Sequence, residues 1–221
     1  MASLHSQCCT ETMHGISTFA MLQINHAWRL YICNAAQKPC MASLRIPIQM
    51  DKFKNKYRIA SARFQNWDYG SPGLYFITIC TKDREQYFGK IQNDEMLLNE
   101  LGLIVNSEWV TTPEIRPDMN LELGEFITMP NHFHAIIMIG ENQYNSQSTN
   151  TNKFGPQSKN LGSIIRGFKS SVTAQAKKLN IEFAWQERFH DHIIRNHDEL
   201  IRISNYIVSN VANWKQDKFF N

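Results

Sequence analysis

Two strand-forming runs, 121–129 and 132–139, are separated only by the dipeptide Pro130-Asn131. A connection this short joins antiparallel neighbours, because parallel strands need a crossover of a dozen or more residues. The chain is therefore expected to contain a β-hairpin that forms part of an antiparallel sheet.

The order of the other predicted elements sets the fold class. Residue type and spacing predict a strand at 75–81, a small hairpin at 86–97, a helix from the N-cap Asn99 to just before Pro113, a helix at 161–179, a strand at 189–195 and a helix at 198–214. Apart from the small hairpin, the order is strand, helix, strand, strand, helix, strand and a further helix. This order predicts an α+β, ferredoxin-like βαββαβ antiparallel sheet with an extra C-terminal helix.

His132 and His134 flank Phe133 near the start of the second hairpin strand. Side chains alternate between the faces of a strand, so both imidazoles leave the same face and converge. Neutral imidazole is the commonest metal ligand in proteins. The pair predicts an incomplete metal site that needs further ligands, although two histidines on a strand face can also be merely solvated.

A second His-x-His, formed by His190 and His192, lies in the strand at 189–195 and competes with the first pair. Asp191 should point away from both histidines, so no third ligand is evident. We expect Asp191, His192 and Arg195 to have structural or DNA-contacting roles.

The helix at 161–179 has an apolar stripe and an opposite face of cations and hydroxyls. Such a face suits phosphate oxygens, and we expect Arg166, Lys169 and Lys177 to contact the phosphates of DNA. An ordinary solvated face is the alternative interpretation.

The last helix places Tyr206 and Asn210 one turn apart on the same face. A tyrosine hydroxyl can act as a nucleophile, and an amide oxygen can ligate a divalent cation. A half-buried tyrosine that only packs is the alternative for Tyr206.

Composition limits the possible partners and the cellular location of the protein. The 221 residues carry a net charge of +3, which permits a nucleic-acid partner without requiring one. Five cysteines without secreted-framework spacing, and the lack of a membrane-length apolar run or a signal peptide, predict a cytoplasmic protein with no membrane association.

Changes in residue composition and in the periodicity of apolar residues along the chain set the predicted domain boundaries. We expect residues 1–49 to be a leader outside the functional unit, either disordered or translated from upstream sequence, and residues 50–221 to form the domain. The polar stretch 141–160 is expected to be a flexible loop within it.

Three motifs carry a resemblance to a known family. Met129-Pro-Asn-His-Phe-His134, the run Trp185-Gln-Glu-Arg-Phe-His-Asp-His-Ile-Ile-Arg-Asn196 and Tyr206-Ile-Val-Ser-Asn210 closely resemble the single-tyrosine HUH transposases, and within them the REP-associated tyrosine transposase group. The resemblance extends to 68–81 and covers roughly residues 50–218. One departure is Val211, where the family usually has proline.

The resemblance implies a transposase that cuts and joins single-stranded DNA, often beside a hairpin, with Mg²⁺ or Mn²⁺ as cofactor. By position, His132 and His134 match the histidine ligands, Tyr206 the nucleophile and Asn210 the polar ligand. Attack by Tyr206 would give a 5′-phosphotyrosine and a free 3′-hydroxyl, which allows strand transfer without ATP. The family also allows a homodimer.

The sequence leaves open two other classes of protein function. One is a domesticated transposase that binds DNA hairpins without cutting them. The other is a metal-dependent phosphohydrolase of a small substrate, in which Tyr206 has no covalent role.

Overall fold

The computed structural model describes residues 67–146 and 158–220, together with the backbone of two short paired strands, Lys52–Phe53 (β1) and Lys56–Tyr57 (β2). The chain divides into two units, Met1–Ala42 and Ser43–Asn221. The predicted leader, residues 1–49, lies outside the described residues, so its role stays a prediction.

The remaining elements follow the predicted order. The strands are Gly73–Cys80 (β3), Gly89–Gln92 (β4), Glu95–Leu98 (β5), Leu121–Met129 (β6), His132–Ile139 (β7) and His190–Ile194 (β8). The helices are Glu100–Val110 (α1), Thr112–Ile115 (α2), Leu161–Lys178 (α3) and His197–Ser209 (α4). Short 3₁₀ turns cover Lys82–Arg84, Pro117–Met119 and Trp214–Gln216.

The main sheet has the strand order β6-β7-β3-β8, and every neighbouring pair is antiparallel. The hairpin at Pro130-Asn131 pairs β6 with β7, and β3 lies between β7 and β8. This arrangement confirms the predicted α+β, ferredoxin-like sheet. The strands β4 and β5 form a separate two-stranded sheet, as the sequence also predicts.

One face of the main sheet carries the principal core under α1 and α3. Trp109 of α1 and Phe168 of α3 both pack on Phe133 of β7, with ring centroids 5.2 and 5.4 Å away. Helix α3 is capped at its start by Asn160, whose side chain accepts from the Ser163 amide. The side chain of Phe133 therefore marks the helix-covered face of the sheet.

The opposite face is covered by α4 and the residues that follow it. Leu200, Ile203 and Ile207 are the buried positions of α4, at the spacing expected of an amphipathic helix. The sequence predicts a helix over 198–214, but α4 ends at Ser209. Beyond the helix the chain turns so that Trp214 and Phe219 pack with Cys80 and Met129 on the sheet.

The predicted loop 141–160 has well-anchored ends. Asn142 donates to the carbonyls of Met119 and Gly140, and Asn145 donates to those of Gly70 and Gly140. Residues 147–157, at its centre, lie outside the described residues. Within the described part of the chain, no helix is both long and apolar enough to cross a membrane.

Candidate active site

His132 and His134 lie side by side on the sheet face that α4 covers. In the antiparallel register of β3 and β7, His132 faces Cys80 and His134 faces Thr78. The ring centroids of the two histidines are 4.5 Å apart, and both side chains are buried. Because Phe133 points to the other face, the pair converges as the alternation of the strand predicts.

Hydrogen bonds orient both imidazoles. His132 donates from Nδ1 to Asn131 Oδ1 at 2.9 Å, since an amide oxygen can only accept, and this fixes the lone pair on Nε2. His134 Nδ1 lies 2.8 Å from the Thr78 hydroxyl. His132 Nε2 is buried and has no hydrogen-bond partner among the described residues. Its lone pair is therefore available to a ligand.

Burial keeps both histidines neutral. It lowers the pKa of His132 to about 3, with smaller contributions from the cations Lys218 and Arg84. Burial also holds the pKa of His134 well below its usual range, and the neighbouring His132 adds to the effect. Neutral imidazoles with free lone pairs are the form that binds metal.

Helix α4 brings Tyr206 to the histidines. Its hydroxyl lies 3.2 Å from His134 Nε2 and 3.3 Å from Asp217 Oδ2, and its ring packs edge-on against Phe76. The side chain remains 38% exposed, so it is accessible from solvent while it touches the buried pair. Partial burial, with the nearby charge of Asp217, raises the pKa of Tyr206 to about 12.

Asn210 caps the end of α4 and is buried. Its side-chain nitrogen donates to Asp217 Oδ2 at 3.3 Å, while its Oδ1 has no hydrogen-bond partner in the described part of the chain. An unpartnered buried amide oxygen is costly unless a ligand satisfies it.

Asp217 is the site residue that sequence reasoning missed. One ligand atom each from His132, His134 and Asp217 lie within 4.8 Å of one another. No periodic pattern marks the segment after α4, and Asp217 reaches the histidines only because Trp214 and Phe219 pack over the sheet. A lone aspartate near the chain end carries no signal by itself.

These groups fit a divalent metal ion. The site offers two imidazole nitrogens and a carboxylate in mutual reach, and both His132 Nε2 and the Asn210 oxygen are buried without a partner. In residues 67–146 and 158–220, no other three His, Cys, Asp or Glu side chains form such a group.

The C-terminal segment is fastened to the same turn that orients His132. Asn131 donates from Nδ2 to the carbonyl oxygens of Phe219, at 2.8 Å, and Arg84, at 3.1 Å. The ring of Phe219 lies 4.6 Å from that of His132. One buried asparagine therefore positions a histidine and holds the segment that carries Asp217.

The second His-x-His forms no metal group within the described residues. On β8, His192 lies opposite Phe76 on the site face, whereas Asp191 lies opposite Ile77 on the helix-covered face. His192 Nε2 is 2.7 Å from Glu199 Oε1, and the same carboxylate accepts from the Arg195 amide. His192 and the Arg195 backbone therefore support the start of α4, and DNA contact by Asp191, His192 and Arg195 stays a prediction.

The three cations predicted to bind phosphate lie on α3, away from the histidines. Arg166 and Lys177 are exposed. Lys169 instead donates to the Gln186 carbonyl and packs near the Trp185 ring, and burial lowers the pKa of Lys169. Because α3 covers the opposite face of the sheet, none of the three adjoins Tyr206.

The site and fold define an α+β protein with a histidine pair, a carboxylate and a tyrosine at one centre. A protein of Haemophilus influenzae, described as uncharacterized, is 38% identical over 168 residues, which are 72% of this chain and 92% of that protein. The chain belongs to the same family as this H. influenzae protein. No protein-family model matches the chain.

Two solved structures are similar in part. A REP-associated tyrosine transposase bound to a REP hairpin has a TM-score of 0.47 and 19% identity, covering 72% of this chain and 77% of that chain. A structure from Deinococcus radiodurans has a TM-score of 0.35 and 13% identity, covering 67% of this chain and 97% of that chain.

The buried neutral histidines predict acid sensitivity. The pKa of His132 is lowered from 6.5 to about 3, so the unfolded chain binds more protons between these values. Stability is therefore intact above pH 6.5 and falls as the pH drops towards 3, by about 2 kcal/mol at pH 5 from His132 alone. Urea unfolding of the metal-free protein at pH 7 and pH 5 measures this loss. His132→Gln should reduce the pH dependence, and an unchanged pH dependence in this variant would contradict the assignment.

Asn131 is predicted to be a positioning residue for the site. Asn131→Ala removes the hydrogen-bond partner of the His132 Nδ1 proton and of the buried Phe219 carbonyl, so the free energy of unfolding should fall by about 1–3 kcal/mol. Mn²⁺ affinity, measured by calorimetry, should fall by about 10- to 100-fold because the imidazole loses its orientation. The control Asn106→Ala removes the acceptor of the Thr128 hydroxyl on the helix-covered face. It should cost stability without changing Mn²⁺ affinity, and the same metal loss in both variants would refute the role of Asn131.

Proposed function

We propose that this protein is a metal-dependent single-stranded DNA endonuclease and strand transferase, a transposase of the tyrosine HUH type that forms a 5′-phosphotyrosine intermediate. The three motifs that resemble the REP-associated group support the proposal at the level of sequence. The observation that carries it is the contact of Tyr206 with His134 and Asp217, two members of the group that could hold a metal ion.

Tyr206 is placed to attack a phosphate that approaches from solvent. Its ring is held by Phe76 and by His134, whose ring centroids lie 6.2 and 5.3 Å away. The side chain is therefore oriented before substrate binds, and the entropy of ordering it is already lost. Its partial exposure leaves the hydroxyl reachable by a nucleic-acid strand.

The proposed step exchanges one ester bond for another. The Tyr206 oxygen forms a bond to phosphorus as the bond from phosphorus to the 3′ oxygen breaks, the phenolic proton leaves, and the 3′ oxygen gains a proton to become a hydroxyl. The strand downstream is then joined to Tyr206 through its 5′ phosphate. A 3′-hydroxyl can reverse the step, which accounts for strand transfer without ATP.

Two acceptors compete for the proton of Tyr206. The hydroxyl has one proton, and His134 Nε2 and Asp217 Oδ2 both lie within reach. A carboxylate has several lone pairs, so Asp217 could accept this proton while also holding a metal ion, whereas the neutral His134 has only one lone pair. The raised pKa of Tyr206, about 12, means that the phenol holds its proton firmly in the metal-free site.

We propose that His132, His134, Asp217 and Asn210 hold Mn²⁺ or Mg²⁺. Two imidazoles favour Mn²⁺, since Mg²⁺ prefers oxygen ligands. When bound, the ion supplies a positive charge that polarises the scissile phosphate and favours ionised forms nearby. Asn131 bonds both His132 and the Phe219 carbonyl, so one residue holds the histidine and the C-terminal segment that carries Asp217.

DNA is proposed as the partner, as a single strand with or without a hairpin, bound by a monomer or a homodimer. A domesticated protein that only binds hairpins would show DNA affinity without covalent chemistry. A small-substrate phosphohydrolase would turn over a phosphate ester without a covalent DNA adduct.

Incubation with end-labelled single-stranded DNA and Mn²⁺, followed by denaturing electrophoresis, tests the function. The wild-type protein should form a covalent adduct, and Tyr206→Phe should form none while its Mn²⁺ affinity is unchanged, because the hydroxyl contributes to attack and is not a required ligand. Tyr144→Phe is a matched control, since Tyr144 is 40% exposed and its hydroxyl also bonds an aspartate, Asp118. A full yield of adduct from Tyr206→Phe would overturn the assignment.

The same assay at increasing Mn²⁺ separates ligands from the nucleophile. Asn210→Ala and Asp217→Asn should need more Mn²⁺ and recover part of the yield at high concentration, because mass action offsets a weakened site. His132→Ala and His134→Ala should be harder to rescue, since imidazole is the stronger donor to a transition metal. A response of Asp217→Asn that is identical to wild type would remove it from the ligand set.

A further inference from the structure

A second group of cations borders a depression on α3, apart from the candidate active site. The depression has a volume of about 460 Å³ and is open to solvent. Its lining consists of basic, hydroxyl-bearing and glycine residues, without a carboxylate: Arg116, Ser158, Lys159, Ser163, Arg166, Gly167 and Ser170.

Arg116 is built into this depression. It follows α2, and its side chain crosses to α3, where Nη2 donates to the Ser163 carbonyl at 3.0 Å. The guanidinium lies directly against the helix at Gly167, where an added Cβ would come within 2.4 Å of Nη2. Glycine inside a helix costs about 1 kcal/mol relative to alanine, and here it makes room for the guanidinium.

Positive charge is concentrated here. Burial lowers the pKa of Arg116, and the like charge of Arg166 lowers it further, although Asp118 acts in the opposite direction. The Asp118 carboxylate itself is held by Lys159 and by the Tyr144 hydroxyl. Arginine presents five donors in a planar fork, and the bond to Ser163 uses only part of that capacity.

We propose that this depression is a second phosphate-binding site, which holds the backbone of a polynucleotide away from the reaction centre. The inference rests on the proposed function, because the ligand of this second site would be the same DNA that the active site cuts. Two guanidiniums and the exposed hydroxyls of Ser158 and Ser170 match the oxygens of a phosphodiester, and the like charges of the guanidiniums are relieved when an anion lies between them.

The position of the site gives it a distinct role. It is built on α3, which packs on Phe133, whereas His132 and His134 leave the other face of the sheet. A strand that occupies both places must pass around the edge of the domain. The second site therefore adds affinity for long polynucleotides, whatever their sequence, and positions them without contact with the scissile phosphate.

The test measures binding of fluorescent single-stranded oligonucleotides of increasing length at several salt concentrations, in a Tyr206→Phe background so that no covalent adduct forms. Arg116→Gln and Arg166→Gln should each weaken binding of long oligonucleotides of any sequence. Each should also lower the slope of log affinity against log salt by about 0.7–0.9. The loss should grow with oligonucleotide length. Lys178→Gln, an exposed cation on the same helix that does not line the depression, is the matched control.

Gly167→Ala tests the position of the Arg116 guanidinium against α3 without removing a charge. Alanine favours the helix, so the fold should persist, but the new methyl group must displace the Arg116 guanidinium. Long-oligonucleotide affinity should fall as it does in Arg116→Gln.

The outcomes separate this proposal from the proposed function. Unchanged affinity and salt slope in Arg116→Gln and Arg166→Gln, with DNA still bound, would overturn the second site alone. Absence of DNA binding by every form of the protein would overturn the proposed function as well. Inorganic phosphate is the competing ligand, and phosphate binding that Arg116→Gln abolishes without any change in DNA affinity would identify a small-anion site and overturn the polynucleotide assignment.

Discussion

The register between β3 and β7 is the constraint on which the candidate site depends. It sets Thr78 opposite His134 in the middle of the sheet, where both imidazoles are shielded from water and kept neutral. A slip of one residue would turn the histidines towards α1 and α3 and bring Phe133 to the site. The tight turn at Pro130-Asn131 fixes the register of β7 on its other neighbour, β6, and Asn131 also orients His132.

We assign different roles to the two faces of the main sheet. On one face, α4 and the C-terminal segment bring Tyr206 and Asp217 to the histidines, so groups distant in sequence share one donor set. On the other face, α3 supports the core and, together with Arg116, forms the depression that we propose binds the DNA backbone. We propose that a metal ion satisfies the unpartnered atoms of His132 and Asn210, in which case metal binding would also stabilise the fold.

Most of the fold could be predicted from the sequence, because strand alternation, helix spacing and short turns are local signals. The histidine pair, Tyr206 and Asn210 were predicted in the same way as candidate site residues, and their roles in catalysis and metal binding stay predictions. Asp217 was not, since its place depends on how the chain packs after α4 ends. The period of α3 identified its polar face, but it could not show that Lys169 is held by the Gln186 carbonyl. Asn131 was visible only as a turn residue, because its hydrogen bonds reach segments far away in the chain.

The central claim, that Tyr206 becomes joined to a 5′ phosphate, is tested most directly by peptide mapping of the DNA adduct. After protease and nuclease digestion, mass spectrometry should find a nucleotide attached through its 5′ phosphate to the peptide that contains Tyr206. The released strand should carry a 3′-hydroxyl that a polymerase can extend. Attachment to any other residue, or a released strand with a free 5′-hydroxyl, would contradict the account.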